Sequence, residues 1–143
     1  MDSQGKLSGF WILTVDDESD AREVISFILQ INGARVTATS SAVEALEVLI
    51  RANGRVPDVL LSDISMPFES GYSLIGKVRA LAHEESARIP AIALTAYTRY
   101  EDRQAALEAG FQKHLGKPIE TEDLIAAILE VAETNSEFSN RES

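Results

Sequence analysis

The chain has 143 residues, of which 45% are hydrophobic and 25% are charged, a composition typical of one folded domain with a full hydrophobic core. It contains no cysteine, which excludes a disulfide framework, a thiolate metal site and a catalytic thiol. The net charge of −10 disfavours direct binding of nucleic acid, and no cluster of Lys or Arg offsets it.

The first half of the chain alternates apolar strands with amphipathic helices. FWILTV is apolar without alternation, which is typical of a strand covered on both faces. In order, the predicted elements are the strand FWILTV, the helix SDAREVISFILQIN, the strand ARVTATS and the helix SAVEALEVLIRAN. Helical spacing predicts inward-facing side chains at Val24, Ile25, Ile28 and Leu29 of the first helix and at Val43, Leu46, Leu49 and Ile50 of the second.

The second half repeats the alternation. Its predicted elements are the strand DVLLSD, the helix YSLIGKVRAL, the strand AIALT, the helix EDRQAALEAG, the strand KHLGKP and the helix EDLIAAILEVAE. Thr121 caps the last helix, which points Leu124, Ile128 and Val131 inward. Five strands alternating with five helices predict an α/β fold with a parallel sheet covered on both faces.

This pattern assigns residues 10–134 to a single domain. Residues 1–9 form an N-terminal lead-in, and the polar residues 135–143 form a frayed tail or a cut linker. No apolar run approaches the ~20 residues of a membrane span, and MDSQGKLSG lacks the basic and apolar regions of a signal peptide. We therefore expect a cytoplasmic protein with no membrane segment in this chain.

Four of the predicted strands end on polar residues. Asp16 and Asp17 end the first, Asp63 the third and Thr95 the fourth, and Lys117 ends the fifth. In parallel sheets the loops at these carboxyl ends form the functional site. A carboxylate pair ~4 Å apart repels by ~4 kcal/mol at an effective dielectric constant of ~20, so solvent, a cation or a function must offset the acids.

Taken singly, each of these residues is compatible with a solvated loop or a helix cap. Together, VDDE, LLSDISMP, LTA and KP resemble the receiver domains of two-component response regulators, over roughly Phe10 to Glu133. The resemblance implies a flavodoxin-like (βα)5 fold with a five-stranded parallel sheet of order 2-1-3-4-5. The LSG lead-in, LTAY and HLGKP resemble most the receivers of hybrid sensor histidine kinases, cyanobacterial ones especially. A domain of such a kinase is therefore expected, with a stand-alone response regulator as the alternative.

The resemblance also implies how the acids are used. Asp63 would accept a phosphoryl group as a carboxylate nucleophile. Asp17, Asp63 and the backbone carbonyl of Ser65 would bind Mg²⁺ (or Mn²⁺), with Asp16 acting mainly through a bridging water. This assignment gives the adjacent acids at the end of the first strand a function, which is to hold a cation beside Asp63.

Further roles follow from the same resemblance. Thr95 and Lys117 would contact the phosphoryl group. Thr95 and His114 would form the switch that remodels the surface around strands four and five and the last helix, although a half-buried structural histidine is an equal interpretation of His114. Ser65 and Tyr97 occupy positions that influence how fast water reaches the acyl phosphate.

The expected partners are a histidine kinase or a histidine phosphotransfer domain, and a second receiver in a homodimer. The chain would not be an enzyme beyond its own phosphorylation and autodephosphorylation, since any kinase activity would lie in another domain.

Two other function classes fit the sequence less well. A flavodoxin-like domain that binds a flavin phosphate would need Gly, Ser or Thr with free backbone N–H groups after the first strand, where this chain has acids. A phosphatase with an aspartate nucleophile would need a second acid two residues after the first. Asp63 is followed by Ile64 and Ser65, so that acid is missing.

Overall fold

The computed structural model describes the backbone of residues 5–52 and 54–142, and the side chains as far as Glu133. Five parallel strands form one sheet in the order 2-1-3-4-5, which confirms the predicted topology. The strands are β1 (Trp11–Val15), β2 (Arg35–Thr39), β3 (Val59–Asp63), β4 (Ala91–Thr95) and β5 (Lys113–Gly116).

Each predicted helix is present, together with one short additional helix. The helices are α1 (Ser19–Ile31), α2 (Ala42–Ile50), α3 (Gly71–Arg79), α4 (Glu84–Ala87), α5 (Tyr100–Ala109) and α6 (Thr121–Glu142). The single turn α4 is too short to show a hydrophobic period. Its N-cap is the exposed His83, whose Nδ1 accepts a hydrogen bond from the Ser86 N–H at 3.3 Å.

The sheet separates two hydrophobic cores. Leu13 and Val15 of β1 pack toward α2, α3 and α5, whereas Ile12 packs toward α1 and α6. β3 and β4 are buried along their whole length, as expected of central strands covered on both faces. Leu7 is fully buried in the core on the α1 and α6 side, so this core extends into the segment that the sequence assigned to a lead-in.

The inward faces of α1 and α2 were predicted partly wrongly. Val24 is 58% exposed, Val43 61% and Ile50 59%. Leu49 of α2 is buried as predicted, but the other buried residues of this helix are the small Ala42 and Ala45. Hydropathy favours the larger apolar side chains, whereas the close approach of helix to sheet selects small ones. Helix α1 has more apolar residues than one face can bury, so Val24 remains outside.

The last helix differs from its prediction in length. The expected inward residues Leu124, Ile128 and Val131 are buried, as predicted. The helix then continues to Glu142, through the segment expected to be a tail or linker. The sequence contains no Gly or Pro after Pro118, so nothing in it breaks the helix. Within residues 5–52 and 54–142, no helix combines the length and apolar character needed to cross a membrane.

Arg79 ties three connections together at the end of the sheet opposite the polar strand ends. Its Nη1 donates to the carbonyl oxygens of Ala87 (2.9 Å) and Ile89 (2.7 Å). Its Nε and Nη2 donate to the carbonyl oxygen of Gly110 at 3.0 and 2.7 Å, and Nη2 also reaches Gln112 Oε1 at 3.1 Å. These acceptors are neutral, and burial lowers the pKa of Arg79. The guanidinium therefore acts as a hydrogen-bonding hub.

Replacing Arg79 by lysine is expected to lower the free energy of unfolding by roughly 2–4 kcal/mol. An ammonium has no planar fork, so carbonyls now paired would be left without a donor. Urea unfolding measures the change. The control is Arg88→Lys, because Arg88 forms a partly exposed ion pair with Glu84 and its replacement should cost less than about 1 kcal/mol. Equal losses in the two variants would contradict the role assigned to Arg79.

Candidate functional site

The polar strand ends meet at one edge of the sheet. Asp16 and Asp17 directly follow β1, Asp63 ends β3, Thr95 ends β4 and Lys117 directly follows β5. β3 lies between β1 and β4, and β5 pairs with β4. The convergence expected from the sequence is therefore present.

Three carboxylates form the centre of this edge. Asp16, Asp17 and Asp63 each offer an oxygen atom, and these oxygens lie within 4.8 Å of one another. Asp16 and Asp63 are buried, whereas Asp17 is exposed. Burial raises the pKa of Asp63, and the Asp16 carboxylate adds to this effect, while Lys117 opposes it. Burial and the neighbouring acid therefore favour the protonated form of Asp63.

Lys117 reaches the carboxylates from the other end of the cluster. Its Nζ lies 3.3 Å from Asp63 Oδ1 and 3.5 Å from Asp16 Oδ2, so its side chain spans the gap between β5 and β3. Burial alone would lower the pKa of Lys117, but the Asp63 and Asp16 carboxylates outweigh it and raise the pKa. The ammonium is therefore charged when the acids are ionised. The Lys117–Pro118 peptide bond is cis.

Arg22 holds the loop between β1 and α1. Its Nη1 donates to the backbone carbonyl of Asp16 at 2.9 Å, and the Glu18 N–H donates to Asp16 Oδ1 at 3.0 Å. Arg22 is not among the site residues predicted from the sequence. Its position one turn into α1, on the side facing the acidic loop, is the signal that could have found it.

A close contact positions the start of α3 beside Asp63. The Gly71 N–H donates to the carbonyl of Ile64 at 2.9 Å, and a Cβ on Gly71 would lie 2.5 Å from the carbonyl oxygen of Asp63. Only glycine fits there without moving the backbone. The backbone N–H of Ser65 acts to lower the pKa of Asp63, so the main chain of Ser65 borders the carboxylate cluster, and its side chain is exposed.

Thr95, Tyr97 and His114 form a chain of hydrogen bonds. The buried Thr95 Oγ1 accepts from the Tyr97 N–H at 3.0 Å. The Tyr97 carbonyl lies 3.1 Å from His114 Nε2. A carbonyl can only accept, so this contact places a proton on Nε2. The Tyr97 ring is 62% exposed, so its backbone rather than its ring joins Thr95 to His114.

Residues 12–129 match the family model of the response regulator receiver domain. An uncharacterised 14.6 kDa protein in the sodA1 3' region of Leptolyngbya boryana is 48% identical over 117 residues, covering 82% of this chain and 86% of that protein. Hybrid signal transduction histidine kinase D of Dictyostelium discoideum is 35% identical over 89% of this chain and 8% of the kinase. The transcriptional regulatory protein PrrA of Mycobacterium leprae is 33% identical over 82% of this chain and 47% of that protein. This chain thus spans less than half of these last two proteins.

Solved structures show the same fold. A response regulator receiver domain protein from Clostridium thermocellum superposes with a TM-score of 0.80 at 28% identity, covering 90% of this chain and 98% of that one. The receiver domain of the sensor histidine kinase PA1611 from Pseudomonas aeruginosa, solved with a magnesium ion in its active-site cleft, has a TM-score of 0.77 at 31% identity, covering 88% and 99%. Because the family match runs from β1 into α6 and the fold is that of these structures, the chain belongs to the response regulator receiver domains of two-component systems.

Proposed function

We propose that this receiver accepts a phosphoryl group on Asp63 in a Mg²⁺-dependent reaction. The observation that carries the proposal is the setting of Asp63: a buried carboxylate with two further acids within 4.8 Å and the Lys117 ammonium at 3.3 Å. Receivers of two-component systems interact with histidine kinases or phosphotransfer proteins, so a phosphohistidine of such a protein is the proposed donor.

The carboxylates suit a hard divalent cation. When they are ionised, one ammonium against three carboxylates leaves two negative charges at this edge of the sheet. Asp17 and Asp63 would hold Mg²⁺ (or Mn²⁺) directly with the Ser65 carbonyl, and Asp16 through a water. The exposure of Asp17 supports a site that leaves room for retained waters. When bound, the cation supplies charge that stabilises the phosphoryl oxygens during transfer.

The chemistry is a phosphoryl exchange between two nucleophiles. A carboxylate oxygen of Asp63 attacks phosphorus, a P–O bond forms and the P–N bond to the donor histidine breaks. The leaving imidazole keeps the electron pair and takes up a proton. Lys117 lies next to Asp63 and would pair with a phosphoryl oxygen, and the Thr95 hydroxyl would donate to another. Water later cleaves the acyl phosphate and restores the carboxylate. Beyond this self-catalysed cycle, we assign the chain no enzymatic activity.

The output route runs through the backbone of Tyr97. If the Thr95 hydroxyl turns to donate to the phosphoryl group, the hydrogen bond from the Tyr97 N–H is weakened and the loop before α5 is released. The Tyr97 carbonyl then moves relative to His114 Nε2, which frees the imidazole to turn inward. Phosphorylation would bias an existing two-state balance on the surface of β4, β5 and α6, where a partner or a second receiver would dock.

The wider context of the domain stays a prediction. A position within a hybrid histidine kinase is supported by the similarity to the Dictyostelium kinase, and a single-domain regulator by the similarity to the 14.6 kDa Leptolyngbya protein. A net charge of −10 supports a role without direct nucleic-acid binding. Ser65 and Tyr97 are proposed to tune the rate at which water reaches the acyl phosphate.

Acetyl phosphate with Mg²⁺ is expected to add one phosphoryl group to the wild-type chain and none to Asp63→Asn. The amide of asparagine cannot act as the carboxylate nucleophile. Intact-mass spectrometry measures the gain. Asp20→Asn is the control, since Asp20 is an exposed acid of α1 and its replacement should leave labelling unchanged. Undiminished labelling of Asp63→Asn would refute the assignment.

Millimolar Mg²⁺ is expected to raise the melting temperature more than NaCl at matched ionic strength. Binding to the native state at about ten times Kd adds about 1.4 kcal/mol, or roughly 3–6 °C for a domain of this size. Asp17→Asn should reduce both the shift and the rate of phosphorylation, because it removes a ligand. Differential scanning fluorimetry measures the shift. A wild-type response no larger than that to NaCl would count against the metal site.

The switch proposal is tested by amide hydrogen exchange with and without beryllofluoride, a phosphoryl mimic. In the wild type, changes are expected in residues 97–115 and in α6. His114→Ala should lose the changes in α6, because the variant has no imidazole that could turn inward. Changes confined to the surroundings of Asp17 and Asp63 would show that the proposed route is wrong. If His114→Ala responds like the wild type, the histidine is structural.

A further inference from the structure

The loop between β3 and α3 presents one aromatic ring to solvent in an unusual conformation. Phe68 is fully exposed, and its φ is 70°, the only positive φ of a non-glycine residue in the described part of the chain. The Glu69 N–H donates to the Pro67 carbonyl at 2.7 Å, which closes a three-residue turn around Phe68. A turn of this kind with a positive φ at its centre is rare and strained, and bulky residues avoid it.

Contacts from α3 hold this turn in place. The Glu69 carboxylate forms an ion pair with Lys77 Nζ at 2.8 Å and accepts a hydrogen bond from Ser73 Oγ at 2.7 Å. Ser70 Oγ caps the helix by accepting from the Ser73 N–H at 3.2 Å. The residue next to Phe68 is therefore anchored, and the strained conformation is determined by its surroundings rather than by the phenyl group.

The phenyl group does not stabilise the fold. Phe68 belongs to neither hydrophobic core of the described residues, and asparagine or glycine would adopt its φ with less strain. Strain of this kind persists where the surroundings enforce it, and it is concentrated at functional sites. What the turn achieves is the display of an apolar ring on the loop that begins at Asp63.

We propose that Phe68 is a specificity-determining contact for the phosphohistidine-bearing protein that phosphorylates Asp63, an inference that rests on the proposed function. Asp63 is only 5% exposed and lies among the loops that follow the strands. A protein donor must therefore cover the rim that these loops form to bring its histidine within bonding distance of the carboxylate. A small donor such as acetyl phosphate can enter without touching the ring. The donor is a protein with an apolar pocket beside its phosphohistidine, into which the phenyl ring inserts as an aromatic anchor.

The adjacent loop adds a second exposed aromatic ring. Tyr97 is 62% exposed and lies two residues after the end of β4, the strand that pairs with β3. Loops that follow neighbouring parallel strands lie side by side at the same edge of the sheet. The loops that carry the two rings therefore follow neighbouring strands at the edge of the sheet that holds Asp63, where a protein donor would dock.

The test compares two donors on the same 143-residue chain. One donor is acetyl phosphate with Mg²⁺, and the other is the protein that labels the wild type fastest among the phosphorylated histidine kinase and phosphotransfer domains of the host. Phe68→Asn keeps the turn and removes the ring. Its initial rate of transfer from the protein donor should fall about tenfold or more, because anchor residues carry much of the binding free energy. Its rate with acetyl phosphate should be unchanged, and its melting temperature equal to or above that of the wild type.

Two further variants complete the design. Phe68→Trp keeps an aromatic ring, and its rate of transfer from the protein donor should stay close to that of the wild type. Ile50→Ala removes an equally apolar side chain, 59% exposed, at the end of α2 far from Asp63, and should alter neither rate. Wild-type transfer rates in Phe68→Asn would overturn the proposal. A parallel loss with both donors would also overturn it, since the residue would then act on the site itself.

The outcome with the wild type separates this inference from the proposed function. If neither acetyl phosphate nor any phosphohistidine protein of the host labels Asp63, the proposed function fails. If acetyl phosphate labels the chain but no phosphohistidine protein of the host does, the function stands and the proposed occupant of the rim is wrong.

Discussion

Repulsion among the carboxylates at one edge of the sheet is the constraint on which the rest of the site depends. The oxygens of Asp16, Asp17 and Asp63 lie within 4.8 Å of one another, and Lys117 offsets only part of the repulsion between their ionised forms. Because burial raises the pKa of Asp63 above its unfolded-state value, the contribution of this group to stability is fully present below the ordinary pKa of Asp. That contribution is lost as the pH rises through the folded-state pKa. Without a cation, the fold therefore disfavours the ionised form that the proposed reaction needs.

The surrounding loops are built to withstand this repulsion. Arg22 and the Glu18 N–H hold the backbone and carboxylate of Asp16, and Gly71 lets α3 approach the backbone of Asp63. Thr95 is buried with its hydroxyl hydrogen-bonded to the next loop. A change of charge at Asp63 consequently changes the electrostatic forces on the loops that these contacts hold in place. A small chemical change can therefore alter loops on two strands.

Sequence periodicity predicted the elements better than it predicted their faces. The strands and principal helices are where the alternation placed them, since apolar runs and helical stripes reflect the burial that forms them. Leu49 is inside as predicted, whereas Val43 and Ile50 are exposed and Ala45 is buried in their place. A helix can rotate about its axis to bring small residues toward a sheet, and one sequence without its neighbours does not reveal that rotation. The polar composition of residues 135–142 predicts a tail, but these residues continue α6 because no Gly or Pro interrupts them.

The sequence by itself determined that five strands would form a parallel sheet and that acids, a threonine and a lysine would meet at its carboxyl edge. Both follow from local pattern and from the rule that parallel strands end together. Only the tertiary structure decided that Lys117 Nζ contacts both Asp63 and Asp16, and that the Tyr97 backbone joins Thr95 to His114. It alone showed the hydrogen-bonding hub at Arg79 and the strained turn that exposes Phe68. These features arise from contacts between residues far apart in the chain, or from a backbone conformation imposed by an anchored neighbour, and neither leaves a periodic signal in the sequence.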